Sequence, residues 1–346
     1  MKIVIGMSGG IDSSVASILL KKMNHSVAGL TFNLFGGDDA RRNIDDAKLV
    51  AGMFDFPHYV LDIEKEFRNE VISPFCKEYL EGRTPNPCIR CNPGIKFRRL
   101  LGFADEHGYD MIATGHYAAV KKDENGRYYI AMNSDPAKDQ SYFLSFLTQD
   151  ILSKIIFPLQ GYTKNEIKKI AAELNLPVTE KPESQEICFI SGDSYSGFIE
   201  KTVGFSPPGD IIDSSEKIIG RHGGIHRYTI GQRRGLGISN PKPLYVISID
   251  STGNKIVAGP RHELEMSGLV AASINHMKET NLDGKRVLTK IRSTQPLMKA
   301  TLEEKRNYVC VSFDTPQAGI TPGQAVVFYN DESEILGAGI IQEGIK

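Results

Sequence analysis

The stretch Lys2-Ile3-Val4-Ile5-Gly6-Met7-Ser8-Gly9-Gly10-Ile11-Asp12-Ser13-Ser14 decides how the rest of the chain is read. Ile3 to Ile5 is a β-branched run and reads as a buried strand, whereas Ile11, Val15, Ile18 and Leu19 recur at helical spacing. Between them, two glycines let backbone N–H groups turn toward one spot, with the hydroxyls of Ser8, Ser13 and Ser14 beside it. The helix that follows adds the positive end of its dipole, so the turn suits an anion such as phosphate. It is not a Walker A loop, because no Gly-Lys-Ser/Thr follows.

Outward from this turn the N-terminal half alternates. The residues predict a strand over 27–32, a helix over 43–54 capped by Asn43, a strand over 57–61 and a long helix over 64–80. This βαβα order implies a parallel sheet with helices on both faces, and ligands in such sheets sit at the carboxyl ends of the strands. Three prolines and a glycine predict a loop over 84–94, followed by a helix over 96–107 and a strand over 110–117. A hairpin with Asn125-Gly126 at its tip, a helix from the Thr163 cap to Asn175 and a last short strand over 187–190 complete this half. From about 194 the pattern changes to short apolar runs separated by Gly, Pro and Asn, the spacing of small β-barrels or sandwiches. The expected units are therefore an α/β domain over 1–193, a small central β domain over 194–264 and a C-terminal β-barrel over 265–346.

The chain has 346 residues and a formal charge of −1, so nothing global points to nucleic acid. The distribution is more informative. Arg83, Arg90, Lys96, Arg98 and Arg99 fall in one window without an acidic residue, and Lys217, Arg221, Arg227, Arg233, Arg234 and Lys242 fall in another. Such windows suit either a phosphate backbone or a solvated surface. No apolar run reaches membrane-spanning length and no signal peptide is evident, which points to the cytoplasm. The five cysteines are too few and too irregular for a disulfide scaffold.

Cys88 and Cys91 form a Cys-x-x-Cys pair between prolines, and Cys188 lies far away in the chain. Zinc would need a fourth ligand, and no second pair of cysteines or histidines supplies one. Cys76 and Cys310 read as packing residues. Cys91 does not, because a loop between prolines is seldom interior.

At this point a resemblance becomes specific. The initial loop resembles the SGGxDS loop of the PP-loop ATP pyrophosphatases. Six further segments, in order, resemble the MnmA family of tRNA-specific 2-thiouridylases: 82–87, Cys91-Asn92 with Ile95-Lys96-Phe97, 113–117, 138–144, 187–190 and 228–236. The resemblance implies an adenine nucleotide alpha hydrolase-like N-terminal domain. It also implies ATP-dependent 2-thiolation of the wobble uridine (position 34) of tRNA, by adenylation of uracil O2 and sulfur transfer from a cysteine persulfide, releasing AMP and pyrophosphate. Gly6, Met7, Ser8, Gly9, Gly10, Ile11, Asp12 and Ser13 would hold the ATP phosphates, and Phe32 and Gly115 the nucleoside. Magnesium would accompany the phosphates, with Asp12 a candidate ligand. Cys188 matches the persulfide carrier, loaded by a sulfur-relay protein or a cysteine desulfurase. Cys91 matches the nucleophile that releases the sulfur through a transient disulfide with Cys188.

For the RNA, the resemblance implies that Asn86, Pro87 and Cys88 meet the target base. It further implies tRNA contacts by His116, Lys138, Asp139, Gln140, Arg292, Ser293 and Gln324. Read on their own residues, 138–140 are an ordinary polar helix start and His116 a hydrogen-bonded histidine at a strand end. Cys88 stands where many relatives carry Asp, which leaves the general base open. Three thiols near one site also leave an iron–sulfur cluster open as an alternative. Two other readings stay open on the residues alone: an amidating ligase of the same superfamily, and an RNA-binding paralogue without turnover.

Overall fold

The computed structural model describes residues 1–178, 187–190, 192 and 194–346. Strand β1 (Lys2–Gly6) leads through the Ser-Gly turn into α1 (Ile11–Lys22), then β2 (Ser26–Asn33), α2 (Gly37–Met53) and β3 (His58–Asp62). With β4 (Met111–Thr114) and β7 (Ile155–Ile156), these strands form a parallel sheet in the order β3-β2-β1-β4-β7. The hairpin β5 (Ala119–Lys122) and β6 (Tyr128–Ala131) precedes β7 in the chain. Strand alternation separates β1 into two faces. Ile3 and Ile5 pack with Val15 and Ile18 of α1, whereas Val4 packs on the opposite side with Leu30, Phe97 and Leu100.

The long helix expected over 64–80 is present as α3 (Glu64–Phe67), a π-helical turn Arg68–Ile72 and α4 (Ser73–Leu80). Three expectations need correction. The 43–54 helix begins earlier, at Gly37, after Gly36 adopts φ +62° and its N–H donates to the Asn33 side chain. Asn43 is thus inside the helix rather than its cap. The supposed loop over 84–94 is largely helical: α5 (Pro87–Cys91) continues into a π-helical turn Asn92–Phe97 and then α6 (Arg98–His107). The prolines promote this rather than prevent it. Asn86 caps the helix by accepting from the Cys88 N–H at 3.1 Å, and Pro87 takes the first helical position, where its missing donor costs nothing. Pro93 falls in the wider turn, which relieves its clash with the preceding turn. The strand expected over 187–190 is instead a turn closed by Ile190 N–H donating to the Ile187 carbonyl.

Short helices α7 (Ser141–Leu144) and α8 (Gln149–Leu152) follow the hairpin, and α9 (Lys164–Glu173) starts at a Thr163–Glu166 capping box. Beyond α10 (Tyr195–Val203), strands β8 (Gly209–Ile212), β9 (Ile218–His222), β10 (Tyr245–Asp250) and β11 (Lys255–Gly259) make a small sheet ordered β10-β11-β8-β9. The remaining strands are β12 (Glu265–His276), β13 (Arg286–Lys290), β14 (Met298–Glu304), β15 (Tyr308–Ala318), β16 (Ala325–Tyr329) and β17 (Ile335–Ile345). They close an antiparallel barrel in the order β12-β15-β14-β13-β16-β17.

The barrel is not a separate bead. Ala325, Val327 and Tyr329 of β16 belong to the same apolar cluster as Val4, Leu30 and Phe97 of the α/β part. Tyr142 donates to the Ala325 carbonyl at 2.9 Å, and Tyr329 and Ser141 share a hydrogen bond of 3.1 Å. Glu334, only 6% exposed, clamps the same contact: it accepts from Lys121 Nζ at 2.9 Å, from Tyr129 Oη at 3.2 Å and from Lys278. Burial alone would raise its carboxyl, but the hydrogen bonds from Lys278, Lys121 and Asn330 outweigh it and hold the group down to about 2. A depressed carboxylate stabilises the fold above its unfolded value and ceases to do so as pH falls through the folded one. Glu334→Gln is therefore expected to cost about 3 kcal/mol at neutral pH, because two ammonium groups lose their partner. The deficit should vanish on acidification from about pH 4.5 toward 2; urea unfolding at several pH values measures it.

Candidate active site

The Ser-Gly turn is a packed piece of backbone. Ser8 N–H donates to Ser13 Oγ at 3.1 Å, and Ser13 and Ser14 hydroxyls donate to the Gly10 carbonyl at 3.2 and 2.8 Å. Gly9 has φ +68°, and a Cβ there would meet the Asn43 carbonyl oxygen at 2.3 Å. Gly115, in the turn after β4, comes against α1 so closely that a Cβ would lie 2.7 Å from the Ser13 nitrogen. Gly6, Phe32 and Gly115 therefore mark the carboxyl ends of three adjacent strands, β1, β2 and β4, around the start of α1. This is the edge at which parallel sheets hold ligands.

Asp12 is already engaged. Lys164, the first residue of α9, donates to both carboxylate oxygens at 2.7 and 2.8 Å, and Tyr117 donates to Oδ1 at 2.6 Å. Both Asp12 oxygens are thus hydrogen-bonded, and Oδ2, with Lys164 as its one partner, keeps a lone pair that a magnesium ion could use. Lys164 and Tyr117 were invisible as partners in the sequence, lying 152 and 105 positions away. The one local sign was the capping box, which marks where α9 begins.

The cysteine pair lies on α5. Cys91 is 4% exposed, which overturns the expectation that its segment is an outer loop. It packs in one apolar cluster with Cys76, Phe75, Ile95, Phe189 and Ile190. Phe189 is the pin: its ring meets Phe67 at 5.8 Å, Phe75 at 5.3 Å and Phe198 at 5.2 Å. Cys188, next to it, stays exposed and unbonded, yet it lies near enough for its charge to act on Cys88, Cys91 and Lys96. An aromatic anchor thus seats the neighbour of Cys188 in the apolar cluster that holds Cys91, 97 positions away in the chain.

Burial pushes the Cys91 thiol up to about 12, against the opposing pull of Lys96. Cys88 is pushed up for the same reasons, burial first. Burial and then the Lys96 charge bring His116 down to about 3, so it is neutral at ordinary pH. Its Nδ1 shares a 2.8 Å hydrogen bond with Thr114, and its ring lies 5.6 Å from that of Phe97. Among the described residues, no three His, Cys, Asp or Glu side chains are grouped so as to hold a metal ion.

The remaining candidates are largely joints. Asp139 accepts from Asn133 and Ser141 backbone N–H groups at 3.0 and 3.2 Å and from Ser141 Oγ at 2.7 Å. Gln140 is paired to the backbone of Tyr117 in both directions, at 2.9 and 3.0 Å. These two residues brace the turn carrying Gly115 and His116, and half-buried Lys138 precedes them. Arg292 donates to the Ile230 and Gly319 carbonyls and to Thr321 Oγ1, with Ser293 half-buried beside it. Gln324 donates to the Thr84 carbonyl at 2.8 Å. All three parts of the fold meet on 82–85: Thr84 N–H donates to the Pro322 carbonyl of the barrel, Thr84 Oγ1 to Thr229, and Gly82 lies against Ile249. The segment leads directly into Asn86, Pro87 and Cys88, so the barrel and central sheet grip the base of the cysteine helix.

Comparison with known proteins agrees along the whole chain. Residues 1–192 match a family model described as tRNA methyl transferase HUP domain, 196–260 one described as tRNA methyl transferase PRC-barrel domain, and 266–341 one described as aminomethyltransferase beta-barrel domain. A tRNA-specific 2-thiouridylase MnmA of Geotalea uraniireducens strain Rf4 is 44% identical, covering 100% of this chain and 96% of the relative. One from Lachnoclostridium phytofermentans is 42% identical, covering 99% of each. The MnmA 2 protein of Thermoanaerobacter sp. strain X514 is 44% identical, covering 100% of this chain and 99% of the relative. With a nucleotide-type turn and two converging thiols on one such scaffold, the chain belongs to the MnmA family of tRNA-specific 2-thiouridylases, an enzyme of the sulfurtransferase class.

Proposed function

We propose that this protein uses ATP to place sulfur on C2 of a tRNA uridine, the wobble base at position 34. Uracil O2 attacks the α-phosphorus of ATP held by Gly6 to Ser13, with Phe32 and Gly115 at the nucleoside. Pyrophosphate leaves, and O2 becomes part of a good leaving group. Sulfur delivered from a persulfide on Cys188 then displaces AMP from C2. Cys91 frees that sulfur as hydrosulfide by forming a disulfide with Cys188, which an external thiol reductant reopens. Magnesium would neutralise phosphate charge when bound with ATP.

The observation that supports this reading is the Phe189 anchor, which packs in the cluster of the buried Cys91 while its neighbour Cys188 stays exposed. An exposed carrier can be loaded by a sulfur-relay protein or a cysteine desulfurase, and a buried attacking thiol is protected from casual oxidation. The base would leave its stack to reach Asn86, Pro87 and Cys88. His116, Lys138, Asp139, Gln140, Arg292, Ser293 and Gln324 would serve the RNA mainly by holding this surface in shape. We assign 1–193 to thiolation, 194–264 to the connecting β unit and 265–346 to the tRNA-contacting barrel. No described helix is long and apolar enough to cross a membrane.

The test is reconstitution with unmodified tRNA, ATP and enzyme persulfidated by a chemical donor, read by mass spectrometry of the nucleosides. The expected result is 2-thiouridine at position 34 with one AMP released per thiolation. AMP release driven by a small amine acceptor, without tRNA, would favour an amidating ligase instead.

A further inference from the structure

Lys96 has no role in the scheme above, yet its position is unusual. It lies five residues after Cys91, on the π-helical turn Asn92–Phe97. In a regular α-helix a residue five places on points about 140° away around the axis. The wider turn, in which i pairs with i+5, brings the two onto nearly one face. From there the Lys96 charge acts on Cys91. The same turn carries Phe97, whose ring faces His116. The Lys96 side chain is half-buried.

We propose that Lys96 is a positioning residue for sulfur release, its ammonium holding the negative charge as that charge passes from Cys91 to the departing sulfur. The inference rests on the reading of Cys188 as persulfide carrier. In that step the Cys91 proton is first lost to water. The Cys91 thiolate then attacks Sγ of Cys188, a Sγ–Sγ bond forms, and the bond to the terminal sulfur breaks. The electron pair leaves with that sulfur as hydrosulfide, which keeps its own proton. Two thiol sulfurs are oxidised to a disulfide and the sulfane sulfur is reduced to sulfide, so no other redox partner is needed.

The surroundings explain why a cation is required. Burial disfavours the Cys91 thiolate, and Cys188 and Cys88 would only add like charge. His116 is neutral at ordinary pH, and Cys76 in the same apolar cluster is held protonated up to about 11 by burial. Burial opposes the Lys96 ammonium too, but charge on Cys91, Cys188 and Cys88 outweighs it and raises the group. Each thus supports the ionised form of the other.

Full-length enzyme loaded at Cys188 from inorganic polysulfide, then freed of excess donor, should release hydrosulfide without ATP or tRNA. The rate is followed from pH 6 to 10. Lys96→Met is expected to slow release about 10- to 100-fold at pH 8 and to move the profile to higher pH, whereas Lys96→Arg keeps most of the rate. Unchanged ATP binding and thermal midpoint show that the fold survives; if the Met variant is unstable, Lys96→Gln is judged on the same profile. A wild-type profile in the charge-free variant overturns the proposal. Undiminished release by Cys91→Ser overturns the persulfide scheme and this inference with it. A Lys96-dependent profile in an enzyme that fails to thiolate tRNA upholds the inference and defeats the proposed function alone.

Discussion

Replacing Cys188 by serine is expected to abolish 2-thiouridine formation, a fall on the order of 10³-fold or more, while ATP binding is retained. Cys91→Ser should do the same for a different reason. Cys188 is an exposed free thiol at the tip of a turn held by Phe189, so its replacement removes the proposed sulfur carrier and little packing. Cys91 is buried, and serine puts a hydroxyl into an apolar cluster, so that variant should also lose some stability. The distinguishing measurement is persulfide content after exposure to a sulfur donor. Cys91→Ser should still accumulate label on Cys188, whereas Cys188→Ser should accumulate none there. Full thiolation by Cys188→Ser would sink the relay.

Gly115→Ala should be as damaging to nucleotide binding as a cysteine change is to sulfur transfer. A methyl group there would lie 2.7 Å from the Ser13 nitrogen and 2.8 Å from the Asp12 carbonyl carbon, both backbone atoms that cannot rotate away. The turn after β4 must move off α1, which carries the phosphate-binding turn with it. A cost of about 1–3 kcal/mol in stability is expected from overpacking, with at least a 100-fold loss of ATP affinity. Gly108→Ala is the control. Gly108 has φ +69° but nothing lies within 4 Å of its added Cβ, so only backbone strain of about 1 kcal/mol applies, and ATP affinity should be unchanged. Calorimetric titration with ATP and thermal unfolding of both variants decide it; equal affinities would remove Gly115 from the site.

Much of this was legible in local pattern. The strand–turn–helix opening, the parallel βα units and the barrel of short strands follow from periodicity and turn residues, which act over a few positions. The misreadings have local causes as well. Pro85, Pro87 and Pro93 look like helix breakers, but Pro87 sits at the first helical position behind an Asn86 cap, and a π-turn absorbs Pro93. The apolar run 187–190 resembles a strand, yet among the described residues it pairs with none, and Phe189 buries itself in a cluster with Phe67, Phe75 and Phe198 instead.

By itself the sequence determined the opening phosphate-type turn, the order of elements and, through its motifs, the family, because backbone preference and side-chain periodicity are properties of neighbours in the chain. Only the tertiary structure decided that Asp12 is held by Lys164, that Arg292 ties the barrel to the central unit and Gln324 ties it to the base of the cysteine helix, and that Cys188 comes within range for its charge to act on Cys91. Each depends on residues far apart in sequence meeting through a shared apolar core, and local spacing carries no record of which distant surfaces that core will join.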